Sequence, residues 1–251
     1  MFNFFKRKPF EPLDAELRHY FEHNLLCLRR TFPKPTLHKR KVFTPIESDF
    51  PIDWNKGEQT AYDLLPIVCR VMDIHPMKIQ LEFFSNGVRT IDMGSYTEAI
   101  NTEGNALEAA GEYFGKNEAG KYVVALEEGL LKHPDNLIAT LVHELAHVKL
   151  MGHAKMDYND EMLTDLATVF FGFGIFNANS AFQFKKSNQG WSWSDLGYLK
   201  IDEWAYALAL YAYLRKETNP TWKKYLNATV QKLFDQCSQY IYAHEESLFK
   251  D

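Results

Sequence analysis

Residues 140–176 read TLVHELAHVKLMGHAKMDYNDEMLTDLATVFFGFGIF, and the spacing of apolar residues in this stretch indicates two consecutive helices. The first helix begins at Pro134, which suits a first helical turn, and ends near Gly152, which suits the position just past a helix end. The second helix begins near Asp157 and continues into the apolar run 166–176. The polar residues on these two helices are therefore the first candidates for a functional site.

The first helix contains the pattern H-E-x-x-H, formed by His143, Glu144 and His147. Residues four apart on an α-helix project from one face, so the two imidazoles can reach a single zinc ion at about 2.0–2.1 Å. Glu144 is rotated away from that line and is placed to act as a general base. We therefore expect His143 and His147 to be zinc ligands and Glu144 to be catalytic. The alternative is an accidental pair of histidines on a helix.

His153, six residues after His147, is one candidate for the third zinc ligand. In the pattern H-E-x-x-H-x-x-G-x-x-H, a glycine turns the chain out of the helix and brings the third histidine back to the metal. This chain has Leu150 at the position of that glycine. We therefore expect the helix to continue through Leu150 and His153 to point away from the metal.

Glu161 is the favoured third ligand. Glu161 and Asp165 are four residues apart on the second helix, so both side chains face the same way. A carboxylate at Glu161 completes a His₂Glu site that leaves one zinc position open, as catalytic zinc requires. Asp165 can then accept the second ring N–H of a ligating histidine and fix its orientation. The other carboxylates of this segment are the alternatives: Asp157, Asp160 and Asp165 itself.

The rest of the chain indicates an α+β fold that is dominated by helices, with a small antiparallel or mixed sheet. Two β-prone runs within 111–131 flank the loop GKNEAGK, which is typical of a hairpin, and 77–84 alternates as a strand. Further helices are predicted at 13–31, 56–74, 202–215 and 221–246.

A Pro- and Lys-rich stretch follows the first predicted helix, so the chain divides into two regions. Residues 1–45 are expected to be an N-terminal helical arm and connector. Residues 46–251 are expected to be the main domain, with the metal motif and a helical C-terminal half.

Composition narrows the class of protein. The chain has 251 residues, 46% of them hydrophobic, which is typical of a globular protein with a substantial core. The net charge of −5 gives no reason to expect binding to nucleic acid or to an anionic membrane. The cysteines, Cys27, Cys69 and Cys237, are odd in number and widely spaced, so we expect free thiols in a reducing compartment. These features predict a soluble cytoplasmic protein.

The motif at 143–147, followed by NDEMLTD at 159–165, resembles the gluzincin group of zinc metallopeptidases. The resemblance covers about residues 110–170 and includes the upstream hairpin. It implies a zincin-like domain, zinc (Zn2+) as the cofactor, and a peptide or protein as the substrate. It also implies that Glu144 transfers a proton from the attacking water to the leaving amine while zinc polarises the scissile carbonyl.

The same resemblance suggests roles for residues outside the metal motif. By analogy, the strand Tyr122–Leu126 would be the sheet edge that pairs with substrate. Tyr198 is the candidate for a second donor to the tetrahedral intermediate, and Tyr206 is the alternative. The competing interpretation of either tyrosine is an aromatic residue packed under a helix. Apart from the resemblance, the loop residues Trp191 and Trp193 are candidates for lining a pocket, and the other interpretation is that they are packing anchors.

Two other functions are compatible with the sequence. One is a zincin-fold regulatory or binding protein that holds zinc but has little or no proteolytic activity. The other is a zinc-free helical protein whose Trp- and Tyr-rich C-terminal half binds a partner. The oligomeric state and the substrate's identity lie beyond the sequence.

Overall fold

A computed structural model of the chain describes residues 10–85, 88–94, 97–101, 110–154, 159–186 and 199–249. The helices in these ranges are α1 (Ala15–Thr31), α2 (Glu58–Met72), α3 (Pro134–His147), α4 (Glu161–Phe170), α5 (Gly174–Lys186), α6 (Ile201–Leu214) and α7 (Ala228–Ala243). The strands are β1 (Ile79–Phe84), β2 (Val88–Asp92), β3 (Thr97–Asn101), β4 (Gly111–Lys116) and β5 (Tyr122–Glu127). The α+β class and the dominance of helices are confirmed.

The main sheet of the described residues has the strand order β1-β5-β4. Strand β1 runs parallel to β5, and β4 forms the predicted antiparallel hairpin with β5. A separate antiparallel pair joins β2 and β3. The sheet is therefore mixed, and β5 is its central strand.

The predicted substrate-binding edge, Tyr122–Leu126, is therefore wrong. Strand β5 has a partner on each side, and both of its faces are buried. Val124 and Leu126 belong to the main core, whereas Val123 and Ala125 pack in a second cluster on the opposite face. Burial on both faces is typical of a central strand. The edge strand of the hairpin is β4.

Helix α3 lies between the sheet and the helices α2, α4 and α5. After His147 the chain remains helical as a π-helical turn, Val148–His153, rather than ending at once. The predicted continuation through Leu150 is thus confirmed. Helix α4 begins at Glu161, and the Asp160 side chain caps it by accepting a hydrogen bond of 2.9 Å from the amide of Leu163.

Gly172 ends the apolar helix α4 and allows α5 to begin two residues later. Its φ of 92° lies in a region that the backbone of residues other than glycine rarely adopts. A Cβ at this position would collide with the carbonyl oxygen of Lys41, and the Gly172 carbonyl accepts a bond of 2.8 Å from the amide of Phe43. The turn therefore joins the connector after α1 to the metal-motif helices.

The predicted N-terminal helix is confirmed as α1, and it packs on α4 and α6. Phe21, Leu25 and Leu28 are at most 1% exposed and belong to the same core as α3 to α7. The hydroxyl of Tyr20 donates a bond of 2.7 Å to the carboxylate of Asp160, the cap of α4. The first helix therefore supports the start of the helix that carries Glu161, and the division of the chain at residue 45 stays a prediction.

No helix in the described part of the chain is long and apolar enough to cross a membrane.

Candidate metal centre

Three side chains from two helices converge on one point. The Nε2 atoms of His143 and His147, one turn apart on α3, are 3.1 Å from each other. The Oε2 atom of Glu161, the first residue of α4, is 3.1 Å from Nε2 of His143 and 3.3 Å from Nε2 of His147. Among the described residues, these three form the group whose ligand atoms lie close enough to hold a metal ion. The structure thus brings together the three predicted ligands.

Asp165 fixes the orientation of the His143 ring. The Nδ1–H of His143 donates to Oδ1 of Asp165 at 2.9 Å, and Oδ2 of Asp165 accepts from the backbone amide of Leu199, also at 2.9 Å. Asp165 is 1% exposed, so water does not compete for these bonds. With the proton of neutral His143 on Nδ1, the lone pair of Nε2 faces Glu161. The structure places Asp165 where its predicted role requires it.

Thr164 orients the second histidine in a similar way. The Thr164 hydroxyl donates to the carbonyl oxygen of Asp160 at 2.9 Å, so its own oxygen is left to accept a proton from Nδ1 of His147, 3.4 Å away. The ring of Tyr113 on β4 also stacks parallel to the His147 ring, with an interplanar angle of 4°. Sequence reasoning missed both residues, although Thr164 lies one helical turn after Glu161.

The donor atoms fit zinc. In a tetrahedral site with bonds of about 2.05 Å, neighbouring ligand atoms are about 3.3 Å apart. The three contacts here are 3.1, 3.1 and 3.3 Å. Two imidazole lone pairs and a carboxylate oxygen repel one another at this distance unless a proton or a metal cation lies among them. The site therefore suits a divalent cation with nitrogen and oxygen ligands.

The pKa shifts of His143 and Glu161 also indicate that the site favours a positive charge. Burial opposes protonation of His143, but hydrogen bonds to Asp165 and Glu161 outweigh it and raise the pKa of His143 to about 10. Burial also opposes ionisation of Glu161, but hydrogen bonds to His143 and His147 lower the pKa of Glu161 well below its usual value. The carboxylates that stabilise a proton on His143 also favour a metal cation between the rings.

Glu144 lies beside the three ligand atoms but is not one of them. Its side chain is directed towards Gly111, the first residue of β4, and the residue is 3% exposed. Burial raises the pKa of Glu144, although the neighbouring histidines oppose the shift. Glu144 therefore lies close enough to His143, His147 and Glu161 to interact electrostatically with each of them.

Several other residues from the sequence analysis lie elsewhere. His153 is in the π-helical turn and packs against Tyr122, with 5.8 Å between ring centroids, rather than joining the ligand group. Asp160 caps α4 and accepts from Tyr20, so it is not a ligand. The remaining candidates lie outside the described residues: Asp157, Trp191, Trp193 and Tyr198.

The alternative oxyanion donor, Tyr206, is wrong. Its side chain is fully buried between α6 and α1, and its hydroxyl donates to Oε1 of Glu22 at 3.0 Å. Glu22 also accepts from the backbone amide of Phe249 through Oε2, at 2.8 Å. Tyr206 therefore links α6 to α1, and its buried hydroxyl is already bonded to Glu22.

Asp165→Asn is expected to weaken zinc binding by about 10- to 100-fold. Both partners of Asp165, the ring N–H of His143 and the amide of Leu199, are donors. A carboxylate accepts from both, whereas the amide group of asparagine has one acceptor oxygen and would lose one of the two bonds. Competition with a fluorescent zinc chelator measures the affinity, and Asp235→Asn on α7 is the control for loss of one negative charge. Equal affinity in the Asp165 variant and the wild type would contradict this role.

Comparisons of the chain with protein-family models, with curated proteins and with solved structures found no match in any of the three. Because a fold does not determine a function, the function is inferred from the residues of the site.

Proposed function

We propose that the protein is a zinc-dependent metallopeptidase with a zincin-like domain, which hydrolyses peptide bonds in a peptide or protein substrate. The observation that carries this proposal is the grouping of His143, His147 and Glu161 within 3.3 Å of one another, with Glu144 beside them as a carboxylate that is not a ligand. The position of the H-E-x-x-H helix against a small mixed sheet supports the zincin-like assignment.

The three grouped side chains would hold the zinc ion. Three protein ligands leave a fourth position for solvent or substrate, which distinguishes catalytic zinc sites from closed structural ones. When bound, zinc supplies a Lewis acid that polarises a carbonyl group and makes a water molecule more acidic. The side chain of Glu161 is 27% exposed, whereas those of His143 and His147 are 5% and 7% exposed, so the site is most accessible at Glu161.

Glu144 supplies the acid–base chemistry. In the proposed reaction its carboxylate takes a proton from the attacking water and delivers it to the departing amine. Glu144 follows the ligand His143 directly on α3, so the same helix fixes the distance between the base and the metal. A purely structural zinc site has no use for a general base at this position.

We propose that the substrate binds along strand β4 and not along residues 122–126. In the described part of the chain β4 ends the sheet, since its strand partner is β5 alone. Gly111 and Tyr113 of β4 lie against Glu144 and His147, so a peptide that extends the sheet along β4 would pass the proposed base. Tyr198 stays the predicted second donor to the tetrahedral intermediate.

The alternative is a zincin-fold regulatory or binding protein that holds zinc without proteolysis. The burial of Glu144, which is 3% exposed, is the observation that favours it, because a base must reach the attacking water. Zinc content alone does not separate the two functions, since both need the same ligands.

Hydrolysis of fluorescein-labelled casein by protein loaded with one equivalent of zinc tests the proposal. We expect cleavage that stops when 1,10-phenanthroline removes the metal and resumes when zinc is returned, because the reaction needs the ion. Cleavage that continues after chelation would contradict the proposal. One bound zinc per chain without cleavage would favour the regulatory or binding protein instead.

A further inference from the structure

Gly111, the first residue of β4, lies against the face of α3 that carries Glu144. A Cβ built on Gly111 would lie 2.6 Å from Cγ2 of Thr140 and 3.0 Å from both Cγ and Oε1 of Glu144. Thr140 and Glu144 are one helical turn apart, so they present neighbouring side chains to the strand. The glycine thus borders the carboxylate of the proposed base.

Position 111 requires glycine because there is no space for a Cβ, and not because of its backbone conformation. Gly115 and Gly120, in the same hairpin, have φ values of 82° and 71°, and a Cβ at either would meet nothing within 4 Å. Gly111 is not among the glycines with positive φ, so its backbone is open to other residues. Glycine within a strand weakens the strand, and its presence often marks a close approach by another group. At Gly111 the closest groups are the methyl of Thr140 and the side chain of Glu144.

We infer that Gly111 is a positioning residue for Glu144: the missing side chain leaves the space in which the carboxylate is held beside the metal ligands. The catalytic consequence rests on the proposed function, whereas the packing of Glu144 against Gly111 does not.

The effect of a methyl group at position 111 follows from the stiffness of its neighbours. Thr140 is β-branched and lies on a helix, so its methyl group has few alternative positions. Glu144 has three rotatable side-chain bonds, so its side chain moves more easily than that of Thr140. Since Glu144 is 3% exposed, its carboxylate must move within a packed interior. The three atoms nearest to the added methyl belong to Thr140 and Glu144, and none belongs to the three proposed zinc ligands.

Gly111→Ala is therefore expected to lower kcat/KM for casein by about 10-fold, because the Glu144 contacts at 3.0 Å require a shift of a few tenths of an ångström, and a displacement of about 1 Å in a reacting group costs about 100-fold. Zinc content is expected to remain at one ion per chain. Thr140→Ser removes the methyl that makes the closest contact, so the double variant Gly111→Ala/Thr140→Ser is expected to regain most of the lost activity. Gly129→Ala is the matched control, because the three atoms nearest to its added Cβ all belong to the side chain of Glu127.

The position of Glu144 can be followed without any activity. In zinc-loaded protein labelled with 13C at the glutamate Cδ, the resonance of Glu144 is identified by its loss in Glu144→Gln. We expect this resonance to shift in Gly111→Ala, to return towards the wild-type value in the double variant with Thr140→Ser, and to stay unchanged in Gly129→Ala.

An unmoved Glu144 resonance in Gly111→Ala would overturn the inference, whatever happens to thermal stability. Failure of Thr140→Ser to restore the resonance would overturn it as well. If the wild-type protein binds zinc but does not cleave casein, the proposed function fails, and the resonance still decides whether Gly111 positions Glu144.

Discussion

Glu144→Gln is expected to slow casein hydrolysis by about 10²- to 10⁴-fold, the range typical of loss of a general acid–base group. Glutamine has nearly the same shape as glutamate, so it can occupy the same place beside Gly111, but it cannot accept the proton of the attacking water. Zinc content should not change, because Glu144 is not one of the three grouped ligand atoms. Initial rates of cleavage and atomic absorption measurements of zinc give the two quantities.

Glu58→Gln, in the first turn of α2, provides the control for replacing an acid by its amide far from the site. It should leave both the rate and the zinc content as in the wild type. A Glu144→Gln protein that binds zinc and cleaves casein at the wild-type rate would remove Glu144 from the mechanism. Loss of zinc from the same variant would instead show that Glu144 contributes to metal binding.

Glu161→Ala is expected to weaken zinc binding by about 10²- to 10³-fold. The binding free energy of a four-ligand structural zinc site is roughly 10–16 kcal/mol, or about 2.5–4 kcal/mol for each ligand. Removal of Oε2 of Glu161, which is 3.1 and 3.3 Å from the two histidine nitrogens, leaves a two-ligand site. Asp160, the cap of α4, is untouched, so the helix should still begin at the same place. Competition with a chelator of known affinity measures the change.

His153→Ala is the matched variant, because this histidine is the rival ligand. Its ring packs on Tyr122 in the π-helical turn, so its removal should leave the affinity for zinc unchanged. If the His153 variant loses zinc and the Glu161 variant keeps it, the ligand set described above is wrong. Thermal unfolding of both variants in the presence of chelator shows whether either change harms the fold itself.

The parts of the site that the sequence predicts are those governed by local spacing. His143 and His147 share a face because they are four residues apart on a helix, and Glu161 and Asp165 share a face for the same reason. The hairpin that ends in β5 is predicted by its turn residues alone. In each case the deciding interactions lie within a few positions along the chain, so no knowledge of the tertiary structure is needed.

The place of β5 in the sheet depends on a pairing between distant segments, and here the prediction failed. Ile79 of β1 lies opposite Tyr122 of β5, and nothing in the hairpin specifies that partner. A signal was nevertheless present: Val123, Val124 and Ala125 are consecutive apolar residues, without the alternation of a strand that has one face in water. That run is typical of a central strand.

The contacts that orient the metal-binding side chains also could not be predicted from the sequence. The bond from the amide of Leu199 to Asp165 joins two segments 34 positions apart, and a backbone donor leaves no mark on the residue type. The stacking of Tyr113 on His147 depends on how the edge strand lies along α3. Such contacts are set by the packing of whole elements, which local patterns do not determine.

The bond between Tyr20 and Asp160 has a consequence for the order in which the chain folds. The two residues are 140 positions apart, and contacts of such separation form late because a long loop must close first. Both histidines can be in place once the β4–β5 hairpin and α3 have formed. The start of α4, which carries Glu161, is stabilised only when α1 has packed against it. We therefore expect the site to bind a metal ion tightly only at the final stage of folding, so that the ion stabilises the assembled chain and does not start its collapse.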